Sequence, residues 1–157
     1  MAQHPIGIIG FSHVCIAVSD AETSLRFYRD LLGLDVFFDV ELEGSPMEVV
    51  TGEAGARGRM IGGVLGGTVV ELLEFKHRSF AQRSENMLGY TNISLSVSDI
   101  DTTLAAVEGA GLQPDQEPVE IGGVRMFFIR DPDGTPIEFV SYPNGERTSA
   151  QMWGYQN

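Results

Sequence analysis

The chain contains a second copy of its own opening strand. Gly10-Phe11-Ser12-His13-Val14-Cys15-Ile16-Ala17-Val18-Ser19-Asp20 returns as Gly89-Tyr90-Thr91-Asn92-Ile93-Ser94-Leu95-Ser96-Val97-Ser98-Asp99, 79 positions later (89 − 10). From Gly10/Gly89 to Leu25/Leu104, six of sixteen positions are identical: Gly, Val, Ser, Asp, Thr and Leu. A repeat of that period in 157 residues leaves room for two supersecondary units and little else. The duplication reaches further. Thr68-Val69-Val70-Glu71-Leu72-Leu73 lies over Thr135-Pro136-Ile137-Glu138-Phe139-Val140, and Arg59-Met60 over Arg125-Met126.

Each copy has the same expected order. Residues 8–18 alternate apolar with small or polar side chains and predict a strand. Asp20 stands as N-cap of a helix that carries Leu25, Tyr28 and Leu32 at helical spacing, and Gly33 closes it. Strands are expected at 34–42, 59–65 and 68–75, the last two joined by a Gly66-Gly67 hairpin turn. Ser45-Pro46-Met47-Glu48 has capping-box spacing and predicts a short helix to about Gly52, followed by a loop over 53–58. His77 to Leu88 is a polar connection. The second half then predicts a strand over 90–97 and a helix capped by Asp99 and ended by Gly111. Strands over 117–121, 124–130 and 135–141 follow, with Asp131-Pro132-Asp133-Gly134 as the last turn. The expected fold class is α+β, one domain over 1–157. Two tandem βαβββ modules, 8–76 and 88–142, form a cupped mixed sheet, and a polar tail, 143–157, is anchored by Met152, Trp153 and Tyr155.

Charge narrows the partners. Twenty-two acids against ten bases give a net charge of −12, which repels nucleic acid and anionic membrane surfaces and attracts cations. No apolar run approaches the roughly 20 residues of a membrane span. The N-terminus lacks a basic targeting region, and the one cysteine, Cys15, makes no internal disulfide, so the cytoplasm is the expected compartment. Open sheets leave edges that commonly pair, so a homodimer is expected.

Strand alternation sorts the candidate residues by face. Val14, Ile16 and Val18 should pack on the helix, leaving His13, Cys15 and Ala17 on the other side. In the copy, Ile93, Leu95 and Val97 play the first part and Asn92, Ser94 and Ser96 the second. Glu71 and Glu138 interrupt apolar strands at repeat-equivalent positions, where an unpaired carboxylate is costly to bury. Two such carboxylates, with His13 and Asn92 also equivalent, suggest a shared counter-charge of the kind a divalent metal supplies. Arg59 and Arg125, again equivalent, either neutralise a substrate carboxylate or make strand-edge salt bridges. Cys15 is expected to be a buried, inert thiol, Tyr28 to be helix packing, and His77 a surface residue within reach of the rim. The 45–58 segment is a candidate lid.

Four segments together resemble the vicinal oxygen chelate superfamily, which includes glyoxalase I, methylmalonyl-CoA epimerase, extradiol dioxygenases, fosfomycin-modifying enzymes and bleomycin-binding proteins. They are His13-Val14-x-Ile16-Ala17-Val18-x-Asp20, Phe27-Tyr28-x-x-Leu31-Leu32-Gly33-Leu34, Val70-Glu71-Leu72-Leu73-Glu74-Phe75 and Asp131-Pro132-Asp133-Gly134-x-x-Ile137-Glu138-Phe139. The resemblance implies one divalent metal ion (Mn, Co, Ni, Zn, Mg or Fe) held by His13, Glu71, Asn92 and Glu138. Asn92 stands where most metal-using members have histidine. It also implies a lyase or isomerase of the glyoxalase or epimerase type, moving a proton through a metal-chelated enolate of a small oxygen-rich substrate. In that reading Glu71 or Glu138 is the base, Asn92 a ligand or substrate hydrogen-bond donor, and Arg59 and Arg125 substrate contacts. The alternative from a different class is a non-catalytic antibiotic- or metabolite-binding protein of the bleomycin-resistance type. An Fe(II) extradiol dioxygenase comes third, because its two-His, one-carboxylate triad would need histidine at Asn92.

Overall fold

The computed structural model of the chain describes residues 7–77, 81 and 88–155. Their element order is β1 (His13–Val18), α1 (Ala21–Leu25) continued by a π-helical stretch (Arg26–Leu31), β2 (Asp35–Leu42), α2 (Ser45–Thr51), β3 (Gly58–Leu65) and β4 (Thr68–Phe75), then β5 (Ile93–Ser96), α3 (Ile100–Gly109), β6 (Val119–Ile121), β7 (Val124–Arg130), β8 (Pro136–Ser141) and α4 (Ser149–Met152). Each half supplies a four-stranded mixed sheet of the same topology, β1-β4-β3-β2 and β5-β8-β7-β6. In both, the first strand runs parallel to the last and the other pairings are antiparallel. This is the α+β architecture of two βαβββ repeats; the sheets are not closed. No helix among the described residues is long and apolar enough to cross a membrane.

The chain divides into two compact units whose boundary does not follow the repeat exactly. Residues 1–21 and 32–79 form one unit; 22–31 and 80–157 form the other, so the first helix is grouped with the second copy. In the first unit, Ile16, Val18, Ile61, Leu65, Val70 and Leu72 are buried on one side of the sheet. Gly66 and Gly67 have φ of 59° and 89°, the left-handed pair that a two-residue hairpin between right-twisted strands requires. In the second unit, α3 lies against β7 and β8 and buries Ile100 and Val107. Asp99 caps it as expected, accepting from Thr102 N–H at 2.7 Å.

Several expectations change. The first strand starts at His13 rather than 8, and Ile8, Ile9 and Phe11 are exposed. The fifth strand spans only Ile93–Ser96. The Ser45 capping box does not form. Gly44 is the N-cap, with no side-chain bond, and Glu48 Oε1 instead accepts from Gly55 N–H at 2.7 Å, tying down the loop that follows. Trp153 and Tyr155 do not anchor the tail, being 83% and 67% exposed. Most of the 77–88 connection lies outside the described residues.

Tyr28 is more than helix packing. Fully buried, its hydroxyl donates to Asp131 Oδ2 at 2.7 Å, and Asp131 is itself 4% exposed. Asp131 Oδ1 accepts from Asp133 N–H (2.9 Å) and Thr135 N–H (2.7 Å), closing the Asp-Pro-Asp-Gly turn that leads into β8. Burial first, and the negative Asp131 second, raise the phenol far above its ordinary range, so it remains a donor.

Candidate metal and substrate site

Strand registers place His13, Glu71 and Glu138 on the front face of their sheets, opposite the buried side. In the first unit three rows run across β2-β3-β4-β1: Val40–Met60–Leu73–Ala17, Phe38–Gly62–Glu71–Cys15, and Asp35–Val64–Val69–His13. His13 and Glu71 therefore share a face by alternation, and they meet. Nε2 of His13 lies 3.4 Å from Glu71 Oε2. Ser12 Oγ is 3.0 Å from the other ring nitrogen, Nδ1. A proton on Nδ1 donated to that hydroxyl leaves the Nε2 lone pair directed toward the carboxylate, the ring setting a metal-ligating histidine needs.

The second unit repeats the pair. Ser94 is in register with Glu138, as Cys15 is with Glu71, and Asn92 Nδ2–H donates to Glu138 Oε2 at 2.9 Å. Asn92 Oδ1 accepts from Thr91 Oγ–H at 2.6 Å. Both polar ends of the amide thus make a hydrogen bond. As it stands, Asn92 holds Glu138 in place.

The His13–Glu71 pair fits a divalent ion on chemistry: an imidazole and a carboxylate suit borderline metals. The 3.4 Å gap between His13 Nε2 and Glu71 Oε2 is also what two donors about 2.1 Å from one ion would leave between them. Among the described residues, no group of three or more His, Cys, Asp or Glu is placed to hold a metal. The ligand candidates come as two pairs, one in each unit.

Other expected residues lie elsewhere. Arg59 is in register with Glu74, and Arg125 with Glu120 and Ser141, which puts both on the sheet faces opposite Glu71 and Glu138. Each guanidinium makes a bidentate pair with an aspartate: Arg59 with Asp39 at 2.8 and 2.7 Å, Arg125 with Asp101 at 2.8 Å through both nitrogens. Of the two readings left open by the sequence, the geometry is that of the salt bridge. Their effect on the partners is direct, since each holds its aspartate below the usual carboxylate range. Cys15 is exposed rather than buried, but partial desolvation and the adjacent Glu71 raise its thiol, which keeps it protonated and unreactive. His77 is turned inward beneath the loop before β3, with Nδ1 accepting from Arg57 N–H at 3.1 Å and Nε2 2.7 Å from Glu53 Oε2. It latches the loop instead of reaching the rim.

The front row that contains Glu71 holds a residue pair the sequence reading passed over. A β-bulge between Val36 and Phe38 shifts β2 by one residue, so Phe38 faces Gly62. A Cβ built on Gly62 would lie 2.1 Å from Phe38 Cε1, which shows the ring resting directly on the glycine. The signal was present as two consecutive glycines inside a strand, a mark of close approach.

Comparison with known proteins agrees with this fold. Residues 10–139 match the family model described as the glyoxalase/bleomycin resistance protein/dioxygenase superfamily. A lactoylglutathione lyase of Haemophilus influenzae is 28% identical over 130 residues, covering 82% of this chain and 89% of that protein. A metallothiol transferase FosB of Staphylococcus epidermidis is 34% identical over 94 residues, covering 60% and 53%. Among solved structures, a glyoxalase family protein of Bacillus cereus superposes with TM-score 0.75 at 24% identity, covering 90% of this chain and 97% of that one. The fosfomycin resistance protein FosX of Listeria monocytogenes superposes with TM-score 0.63 at 16% identity, covering 90% and 99%. With the match spanning nearly all of both repeats, the chain belongs to the glyoxalase/bleomycin resistance protein/dioxygenase superfamily.

Proposed function

We infer that the chain is a divalent-metal-dependent lyase or isomerase of the glyoxalase type, acting as a cytoplasmic homodimer on a small oxygen-rich substrate. The observation that carries the reading is the His13–Glu71 pair, 3.4 Å apart on one sheet face, with Glu138 at the equivalent place on the other sheet. Relatives named as lactoylglutathione lyases at 25–28% identity support it. His13 and Glu71 would hold the ion, which when bound supplies Lewis-acid polarisation of neighbouring substrate oxygens, and Glu138 is the repeat-equivalent ligand candidate of the second unit. Ser12 fixes the His13 tautomer, and Asn92 fixes Glu138. Glu71, with its side chain 14% exposed, is the better shielded partner of its pair and a candidate to take the proton from carbon beside a carbonyl.

The test is direct. Elemental analysis and calorimetric titration of the purified protein with Mn, Co, Ni and Zn should show one ion per metal site at micromolar affinity. His13→Ala and Glu71→Gln should each weaken it about 10-fold or more. No bound ion, and no change in either variant, refutes the reading. One observation favours the alternative of a metabolite- or antibiotic-binding protein: asparagine stands at position 92, the repeat equivalent of His13, so the pair of matched histidines is absent. Saturable ligand binding without metal and without turnover would decide for it.

A further inference from the structure

The front face of the first sheet carries His13, Cys15 and Glu71 on β1 and β4, beside Ala17, Val69 and Leu73. On β2 and β3 it carries Phe38, Val40, Met60 and Val64, with Asp35 at the end of β2. Val40 is 43% and Val64 38% exposed, and Phe37, in edge contact with Phe38 at 5.3 Å between ring centres, is 59% exposed. Apolar side chains so open on a sheet are not core.

The row Phe38–Gly62–Glu71–Cys15 sets the spacing. Neighbouring strands lie about 4.8 Å apart, so the Phe38 backbone stands two strands from Glu71. Because the ring lies over Gly62, it is brought one strand closer to Glu71, the register partner of Gly62. Any side chain at position 62 would fill the space that the ring now takes. The second unit places an aromatic at the same relation by another route, since Phe128 on β7 is directly in register with Glu138.

We propose that Phe38, seated on Gly62 and extended by Phe37, is a binding wall for an aryl or comparably flat apolar group on the substrate, next to the oxygens drawn to His13 and Glu71. The proposal rests on the metal-site reading above and adds the substrate's other half: the molecule is amphiphilic, with an oxygen pair at one end and a flat apolar body at the other. Aromatic rings meeting edge-to-face or offset favour such a body beyond simple burial.

The experiment compares two oxygen chelators that differ only in that body, benzohydroxamate and acetohydroxamate, by calorimetry on the Zn-loaded full chain. Benzohydroxamate should bind at least about 10-fold more tightly. Phe38→Ala and Phe38→Leu should reduce that ratio toward one while leaving acetohydroxamate and Zn affinities unchanged. Gly62→Ala, which displaces the ring without removing it, should do the same. With 4-fluorophenylalanine incorporated, the Phe38 fluorine signal, assigned through Phe38→Leu, should shift with benzohydroxamate and not with acetohydroxamate. Equal affinities, or an aryl preference that survives Phe38→Ala, overturns the wall and leaves the metal site standing. Failure of both hydroxamates to bind in a Zn-dependent way overturns the metal reading and the wall with it. If Phe37→Ser splits a dimer while the aryl preference is unaltered, the face serves a copy-to-copy contact and the proposal is wrong.

Discussion

Replacing Tyr28 by phenylalanine removes one hydroxyl from a buried network and makes a two-part prediction. The lost bond is the 2.7 Å donation to Asp131 Oδ2, between residues 0% and 4% exposed. Hydrogen bonds to charged groups contribute about 1.5–3 kcal/mol, and the partner left behind stays desolvated. Oδ1 of Asp131 keeps its two backbone donors, so the turn survives and the loss is confined to one oxygen. Tyr28→Phe should therefore cost about 2 kcal/mol at pH 7. The second part is pH dependence. The folded-state pKa of Tyr28 is raised far above its unfolded value near 10, so above pH 10 the unfolded chain loses a proton that the folded chain keeps. The stability is fully present below that pH and is lost as pH rises, by about 1.4 kcal/mol per pH unit from this group. In Tyr28→Phe that component of the alkaline slope disappears. Urea denaturation at pH 7, 9, 10.5 and 11 measures both. A variant within 0.5 kcal/mol of the parent at pH 7, or one with an unchanged alkaline slope, would refute the assignment of Tyr28 as a buried donor (the 0.5 being roughly the scatter of a neutral substitution).

Two further substitutions test packing. Gly58→Ala should destabilise by about 1–3 kcal/mol in urea, because its Cβ would lie 2.7 Å from the backbone oxygen of Glu74, which cannot move without breaking the sheet. Ser24→Ala should be neutral or stabilise by about 1 kcal/mol in the same assay. Its hydroxyl is fully buried with no hydrogen-bond partner among the described residues, and alanine is the better helix former.

The duplication, the order of elements in each copy and the faces of the ligand strands were all legible in the sequence. They depend on local signals: a period of two along a strand, glycines at forced turns, and a capping aspartate at the start of a helix. That is why His13 could be assigned to the face of its strand turned away from the helix before any contact was known, and why Asn92 and Glu138 could be matched to His13 and Glu71 by the repeat. Local signals misled where two of them competed. Ser45-Pro46-Met47-Glu48 has capping-box spacing, yet Glu48 bonds the loop at Gly55 instead, since a nearby backbone donor satisfies it as well.

Tertiary structure decided what distant segments do to one another. The pairing of Arg59 with Asp39 and Arg125 with Asp101 depends on strand register and helix placement, which no spacing in the chain encodes. The one-residue bulge in β2 turns Phe38 to the front face, and the absence of a side chain at Gly62 lets its ring lie over that glycine. Tyr28 meets Asp131 across 103 residues of chain. The sequence by itself determined a duplicated sheet with a ligand candidate at each matched position. Only folding decided that Phe38 rests on Gly62 in the row of Glu71, because side-chain proximity across strands is a property of register and not of order.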